Sequence, residues 1–119
     1  SLIQALLIED NEHLGAMLKK ELESVEMLVT WVQSGEDARL EVVRNPLFDI
    51  FILDYRLPDC SGLELLEDIA QPHIPIVAIS GDVSAWDASS KRFPIVARIA
   101  KPFRIKSVVE AIQKNLGMD

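Results

Sequence analysis

The sequence has little of what several classes of site require. Cys60 is the one cysteine among 119 residues, so the chain can form neither an internal disulfide nor a metal site of several thiolates. The two histidines, His13 and His73, stand far apart and have no second ligand at metal-site spacing. The five glycines form no phosphate loop and no dinucleotide fingerprint. These absences exclude a disulfide scaffold, a structural zinc site and a glycine-loop nucleotide site.

Positive charge is also in the minority. Twelve Lys and Arg stand against nineteen Asp and Glu, which gives a net charge of −7. Such a chain repels phosphate, so we expect no direct binding to nucleic acid or to an anionic membrane. The apolar runs are also shorter than the ~20 residues of a membrane-spanning helix. No basic segment precedes Leu2–Ile8, as it would in a secretory signal. With the lone cysteine, this predicts a cytoplasmic location.

The apolar residues, 49% of the chain, recur in five short runs within what we expect to be one domain, residues 1–119. The runs are nearly continuous, which is typical of parallel strands covered on both faces. They are Leu2–Ile8, Leu28–Val32, Phe48–Leu53, Ile76–Ile79 and Ile95–Ala100.

Segments with helical spacing separate these runs. The first has Asn11 as a candidate N-cap, and the last runs from Ile105 to Leu116 with Gly117 as a stop. Three more are predicted at Glu36–Asn45, after Ser61-Gly62, and at Ser84–Phe93, where polar residues weaken the pattern. The alternation predicts an α/β fold, a doubly wound sheet of five parallel strands with five helices.

Polar residues follow four of the five predicted strands. Glu9-Asp10, Asp54, Ser80 and Lys101-Pro102 stand at the carboxyl ends of strands one, three, four and five. In a doubly wound sheet, binding sites form beyond these ends. We therefore expect the three carboxylates, the hydroxyl and the ammonium to share one site.

Crowded carboxylates favour a bound cation, because without one their mutual repulsion would keep some of them protonated. Oxygen ligands with no His or Cys nearby indicate a hard cation, Mg²⁺ above all. Beside such an ion, Lys101 and Ser80 would stabilise a phosphoryl group while Asp54 attacks it. The product would be an aspartyl phosphate.

The residues at these positions resemble the receiver domain of two-component response regulators, the family that includes the chemotaxis response regulator. The resemblance covers essentially the whole chain. It is carried by Leu7-Ile8-Glu9-Asp10-Asn11, by the segment Ile52–Gly62 with Asp54, Pro58 and Gly62 at the family's spacing, by Ile79-Ser80-Gly81 and by Lys101-Pro102-Phe103. It implies a flavodoxin-like (βα)5 fold with strand order 2-1-3-4-5.

The resemblance also implies a role for each site residue. Asp54 matches the phosphoacceptor. Glu9 and Asp10 match the acidic pair that binds Mg²⁺, Asp10 directly and Glu9 through water. The metal ligands implied are Glu9, Asp10, Asp54 and the backbone carbonyl of Arg56. The phosphoryl-binding residues implied are Ser80, Gly81 and Lys101, and the bond before Pro102 is expected to be cis.

Two positions depart from the family's usual pattern. Relatives commonly carry Tyr or Phe three residues before the lysine, where this chain has Arg98. A guanidinium does not enter an apolar slot cheaply. We therefore expect Arg98 to stay solvated or to pair with a carboxylate, with coupling through the loop after Ser80. Arg56 could shield the phosphoryl group or pair with Glu9. Trp86 could be a core residue or part of a partner-binding surface.

The function implied is that of a signalling domain and not of an enzyme. A sensor histidine kinase or phosphotransfer protein would phosphorylate Asp54, and the surface around the fourth helix and fifth strand would change. The partners implied are that donor, a downstream output domain or protein, and a second copy in a phosphorylation-dependent dimer. One alternative is a pseudo-receiver that binds a partner whatever its phosphorylation state. A phosphatase with an aspartyl intermediate is disfavoured, because Arg56 stands where such enzymes carry a second acid.

Overall fold

A computed structural model describes residues 2–86 and 91–118 of the chain. Its centre is one parallel sheet of five strands in the order β2-β1-β3-β4-β5, as the resemblance implied. The strands are β1 (Ile3–Ile8), β2 (Met27–Val32), β3 (Ile50–Asp54), β4 (Ile76–Ser80) and β5 (Ile95–Ala100). All residues of β3 and β4 are buried, which explains why their sequences are almost uninterruptedly apolar.

Helices cover both faces of the sheet. They are α1 (Glu12–Ser24), α2 (Gly35–Arg44), α3 (Gly62–Ile69) and α4 (Ile105–Asn115). Helices α1 and α4 pack on the face that carries Leu7 and Ile52, and α2 and α3 pack on the opposite face, around Leu6 and Phe51. The polar residues that follow the strands lie at the carboxyl edge of the sheet, beyond the two packed faces.

Local sequence signals set several helix ends. The Asn11 side chain accepts a hydrogen bond from the amide of Leu14 and caps α1. Ser61 and Glu64 form a reciprocal capping box at the start of α3. Gly117 follows α4 with a φ of 68°, a left-handed conformation that glycine adopts without strain. The predicted cap at Asn11 and stop at Gly117 are thus confirmed.

No helix within residues 2–86 and 91–118 has the length and apolar composition needed to cross a lipid bilayer.

The prediction of five helices is wrong for the described part of the chain, which contains four α-helices. The helix predicted over Ser84–Phe93 is replaced at its start by a single 3₁₀ turn, Val83–Trp86, and residues 87–90 lie outside the described residues. The Asp82 carboxylate accepts hydrogen bonds from both the amide and the hydroxyl of Ser84. Such local side-chain bonds favour a turn over a regular helix.

Trp86 is a core residue. It is completely buried, and its indole nitrogen donates to the carbonyl of Ile79 at 3.3 Å. Its ring packs nearly perpendicular to that of Tyr55 at a centroid distance of 5.1 Å and lies against Gly62. The alternative that Trp86 belongs to a partner-binding surface is therefore wrong.

This packing predicts that Gly62→Ala destabilises the fold. A Cβ at position 62 would lie 2.6 Å from the Trp86 ring and 3.1 Å from the backbone oxygen of Asp54, and overpacking of a core costs about 1–3 kcal/mol. A Cβ at Gly81 would meet nothing within 4 Å, so Gly81→Ala is the matched control. Urea unfolding should give a lower free energy of unfolding for Gly62→Ala alone. Equal values for the two variants would contradict this packing.

Candidate functional site

Three carboxylates meet at the carboxyl edge of the sheet. Ile8 of β1 pairs with Leu53 of β3, which brings the next residues, Glu9 and Asp54, side by side. Asp10 completes the cluster, and one oxygen from each of the three carboxylates lies within 4.8 Å of the others. Glu9 and Asp54 are buried, whereas Asp10 is exposed. The cluster therefore has a buried floor and one acid at its mouth.

Lys101 brings the positive charge to this cluster. Its amide donates to the carbonyl of Ser80, which anchors the residue after β5 to the end of β4. Its ammonium nitrogen lies 2.5 Å from Oδ2 of Asp54 and 3.8 Å from Oε1 of Glu9. The Lys101–Pro102 peptide bond is cis. Partial burial lowers the pKa of Lys101, but the hydrogen bond to Asp54 and the surrounding carboxylates outweigh burial, so the pKa is raised.

Arg56 contributes to the site through its backbone. Its amide donates to Oδ1 of Asp54 at 3.2 Å, so both oxygens of that carboxylate are engaged. Among the described residues none donates a hydrogen bond to the Arg56 carbonyl. The Arg56 side chain is exposed, and its charge acts on Asp82. Lys101, and not Arg56, is the cation beside Glu9.

Glu9 is the most perturbed group of the site. One oxygen, Oε2, accepts from the amide of Asn11 at 3.0 Å. The other, Oε1, is buried and has no hydrogen-bond partner among the described residues. Burial, reinforced by the neighbouring charge of Asp54, raises the pKa of Glu9 from 4.5 to about 8. A buried carboxylate oxygen in this state needs a cation or a proton.

The donor set fits Mg²⁺. All side-chain ligands are carboxylate oxygens, the type that this hard ion prefers. With every group ionised, three negative charges face one ammonium, so a divalent cation would neutralise the remainder. Oε1 of Glu9 accepts no hydrogen bond from the described residues and lies 3.8 Å from the Lys101 ammonium. The residues present can therefore hold the ion.

Ser80 lies at the end of β4 with its hydroxyl already occupied. The Ser80 Oγ donates to the carbonyl of Asp82 at 2.8 Å and accepts from the Asp82 amide at 3.0 Å. Ser80 is buried, and the next residue, Gly81, is exposed. Both of these hydrogen bonds lie within the loop that follows β4. Neither of them reaches the Asp54 carboxylate.

Arg98 lies on β5 with Ala78 of β4 as its neighbour in the sheet. The residue is exposed. The chain thus presents an exposed arginine where the family resemblance implied an aromatic residue.

Sequence reasoning missed three residues that hold the site's loops. Trp31 and Gln33 donate side-chain hydrogen bonds to the carbonyls of Glu9 and Asp10. Asp59 accepts from two amides at the start of α2. These bonds join residues more than twenty positions apart, so no local pattern announces them. The one signal available was the position of Asp59 in the loop after β3, close in sequence to Asp54.

Comparison with known proteins agrees with this geometry. The family model of the response regulator receiver domain matches residues 5–113, so the chain belongs to the response regulator receiver domain family. Receiver domains of this family are signalling domains and not conventional enzymes.

Individual relatives place such domains in larger proteins. The chain is 33% identical over 119 residues to the transcriptional regulatory protein CssR of Bacillus subtilis, covering 94% of this chain and 50% of CssR. It is 34% identical over 94 residues to the autoinducer 2 sensor kinase/phosphatase LuxQ of Vibrio vulnificus, covering 76% of this chain and 11% of LuxQ. The chain thus spans half or less of the length of these relatives.

A solved structure shows the same fold. The response regulator receiver domain (CheY-like) from Methylobacillus flagellatus is 30% identical, with a TM-score of 0.82 over 96% of this chain and 98% of that one.

The raised pKa of Glu9 predicts a pH-dependent stability in the absence of divalent cations. Between 4.5 and about 8, the folded chain holds a proton that the unfolded chain releases, so stability falls as pH rises through this range. Glu9→Gln removes the penalty. In a chelator near pH 7.5, it should raise the free energy of unfolding by ~2–4 kcal/mol, and near pH 5 the gain should largely vanish.

Denaturant titration at the two pH values measures this difference. Glu21→Gln, an exposed change on α1, is the control and should have little effect at either pH. A wild-type chain as stable as Glu9→Gln near pH 7.5 would contradict the raised pKa.

Proposed function

We propose that this chain accepts a phosphoryl group on Asp54 with the help of Mg²⁺. The observation that carries the proposal is a buried Asp54 carboxylate that is hydrogen-bonded by Lys101 and lies among two further acids. A carboxylate whose nearest cation is a lysine, in a cluster that attracts a divalent metal, is suited to receive a dianionic phosphoryl group.

The metal ligands proposed are the side chains of Glu9, Asp10 and Asp54 and the carbonyl of Arg56. Asp10 is exposed at the mouth, which suits a direct ligand, and the buried Glu9 would act through water. When bound, Mg²⁺ neutralises charge on the phosphoryl oxygens. Lys101 supplies the second positive charge, and its contacts with both Asp54 and Glu9 support that role.

The donor proposed is a phosphohistidine of a sensor histidine kinase or phosphotransfer protein. A carboxylate oxygen of Asp54 attacks phosphorus, and a P–O bond forms as the P–N bond to the imidazole breaks. The electron pair of that bond leaves with the imidazole nitrogen, which takes a proton from solvent. Lys101 then turns from the carboxylate to the phosphoryl oxygens, where negative charge accumulates.

The output proposed begins at Ser80. To bind a phosphoryl oxygen, its hydroxyl gives up the two hydrogen bonds to the Asp82 backbone. The loop after β4 is thereby released from its present arrangement, and with Gly81 it adapts to the new one. Trp86 ends the 3₁₀ turn that follows and carries the change to the surface around β5. In this scheme, the side chain of the exposed Arg98 does not move into an apolar pocket.

We further propose that residues 1–119 act as one receiver domain in the cytoplasm. Its partners would be a histidine kinase or phosphotransfer protein and a downstream output domain or protein, with a phosphorylation-dependent dimer as a further assembly. CssR is a transcriptional regulatory protein and LuxQ a sensor kinase/phosphatase, which supports output domains and kinases as the relevant partners.

The proposal predicts a phosphorylated form that depends on Asp54 and on Mg²⁺. Incubation with a small phosphodonor and Mg²⁺ should add the mass of one phosphoryl group to the intact chain. Asp54→Asn and the unaltered chain in excess chelator should show no adduct, because the nucleophile or the metal is missing. Intact-protein mass spectrometry measures all three samples.

The matched control is Asp49→Asn, since Asp49 lies outside the site and bonds the Gln4 amide. It should be modified like the unaltered chain. An unmodified wild-type chain would instead favour the pseudo-receiver, and an adduct that persists in Asp54→Asn would place the modification elsewhere.

The proposed output predicts a changed environment at Trp86. The chain has two tryptophans, so fluorine labelling of both gives two resonances, assigned with a Trp86→Phe variant. Phosphorylation should shift the Trp86 resonance more than the Trp31 resonance, because the loop after Ser80 leads directly to Trp86. A Trp86 resonance that stays in place on the phosphorylated chain would rule out coupling through this loop.

A further inference from the structure

The connection between β2 and α2 contributes no ligand to the site, yet it is bonded to both loops that carry the proposed ligands. We define this β2–α2 segment as residues 31–36. On the side of the acidic pair, the Trp31 indole nitrogen donates to the carbonyl of Glu9 at 2.9 Å. The Gln33 side-chain amide donates to the carbonyl of Asp10 at 3.1 Å. Glu9 and Asp10 belong to the loop after β1, which we call the acidic loop. Two consecutive carbonyls of this loop are thus held by side chains of the β2–α2 segment.

The same segment holds the loop after the phosphoacceptor strand. The amides of Gly35 and Glu36 donate to the two carboxylate oxygens of Asp59, both at 2.8 Å. These hydrogen bonds lower the pKa of Asp59. Asp59 lies in the short loop that also presents the Arg56 carbonyl, and the loop is closed at its base by a hydrogen bond from the Gly62 amide to the Tyr55 carbonyl.

The Trp31 ring is itself fixed in place. It lies directly over Gly15 of α1, where a Cβ would come within 2.2 Å of the ring. In addition, the Glu9 amide donates to the carbonyl of Val32 at 3.0 Å, so the acidic loop is bonded to this segment through both backbone and side chains. The donors to the Glu9 and Asp10 carbonyls therefore come from a rigid part of the fold.

We infer that the β2–α2 segment is a positioning element for the proposed Mg²⁺ site. By bonding the acidic loop through Trp31 and Gln33 and the Arg56 loop through Asp59, it sets the spacing between the two groups of ligands. It opposes the mutual repulsion of Glu9, Asp10 and Asp54, which would otherwise open the site. The inference rests on the proposed function, since it assigns these residues a role toward the metal of that site.

The same bonds could serve the fold alone, and the opposite end of the sheet offers matched controls for that case. There the Asn45 side-chain amide donates to the Gln4 side chain at 2.8 Å, and the Gln4 amide donates to the Asp49 carboxylate at 2.7 Å. Gln4→Met removes a glutamine side-chain bond, as Gln33→Met does, and Asp49→Ala removes an aspartate bond to a backbone amide, as Asp59→Ala does, but both lie far from the carboxylates. Gln33 and Asp59 are exposed, so their variants are expected to fold.

The experiment compares these four variants and Trp31→Phe with the unaltered chain. Isothermal titration with Mg²⁺ gives the dissociation constant, and thermal unfolding in a chelator gives the metal-free Tm. Gln33→Met and Asp59→Ala should each weaken Mg²⁺ binding roughly tenfold, as loss of a residue that supports a metal ligand commonly does. Their metal-free Tm should change no more than that of the matched control. Trp31→Phe, which keeps a ring over Gly15, should also weaken binding.

A kinetic measurement separates positioning from loss of the site. With a small phosphodonor, the Mg²⁺ concentration for half-maximal phosphorylation should rise in Gln33→Met and Asp59→Ala. The rate at saturating Mg²⁺ should stay close to that of the unaltered chain, because the nucleophile and Lys101 are intact.

Two results would overturn the inference alone: Mg²⁺ dissociation constants unchanged in Gln33→Met, Asp59→Ala and Trp31→Phe, or an equal weakening in Gln4→Met and Asp49→Ala. If the unaltered chain itself bound no Mg²⁺, the proposed function would fail and the inference with it.

Discussion

The site depends on one electrostatic balance: a single ammonium group must offset a cluster of carboxylates that the fold has removed from water. Lys101 contacts the two buried acids, at 2.5 Å and 3.8 Å, while one oxygen of Glu9 has no hydrogen-bond partner among the described residues. A protein gains nothing in stability from such crowding. We interpret the arrangement as a site that binds additional positive charge, either a proton or a divalent metal ion.

The parallel sheet makes this balance possible. Because β1, β3, β4 and β5 all run in one direction, their carboxyl ends bring residues 9, 54, 80 and 101 to one edge. The two helical layers cover the faces of the sheet and leave this edge open. Neighbouring backbone bonds then fix the side chains, such as the one from the Lys101 amide to the Ser80 carbonyl. Topology brings the charges together, and short-range hydrogen bonds orient them.

The sequence predicted the strands and most helices because their signals are local. Continuous apolar runs marked the buried strands, and Asn11 and Gly117 marked helix ends. The meeting of Glu9, Asp10, Asp54 and Lys101 followed from their positions after strands. The bonds from the β2–α2 segment could not be predicted, because they join residues more than twenty positions apart. The sequence left open whether Trp86 is a core residue, and only its packing against Gly62 in the fold decides this. The bond from the Ser80 hydroxyl to Asp82 is local, but the sequence analysis assigned that hydroxyl to a phosphoryl group instead. The helix predicted over Ser84–Phe93 does not begin as expected, because Asp82 and Ser84 form a local turn there.

The contact between Gly62 and Trp86 has a consequence for how sequences of this kind can diverge. The missing side chain at position 62 and the large ring at position 86 share one volume beside the end of β3. Neither position can change size freely, since a methyl group at one must be matched by a smaller ring at the other. We expect the two positions to covary among homologues with this tryptophan, although they lie on opposite sides of a whole strand in the sequence.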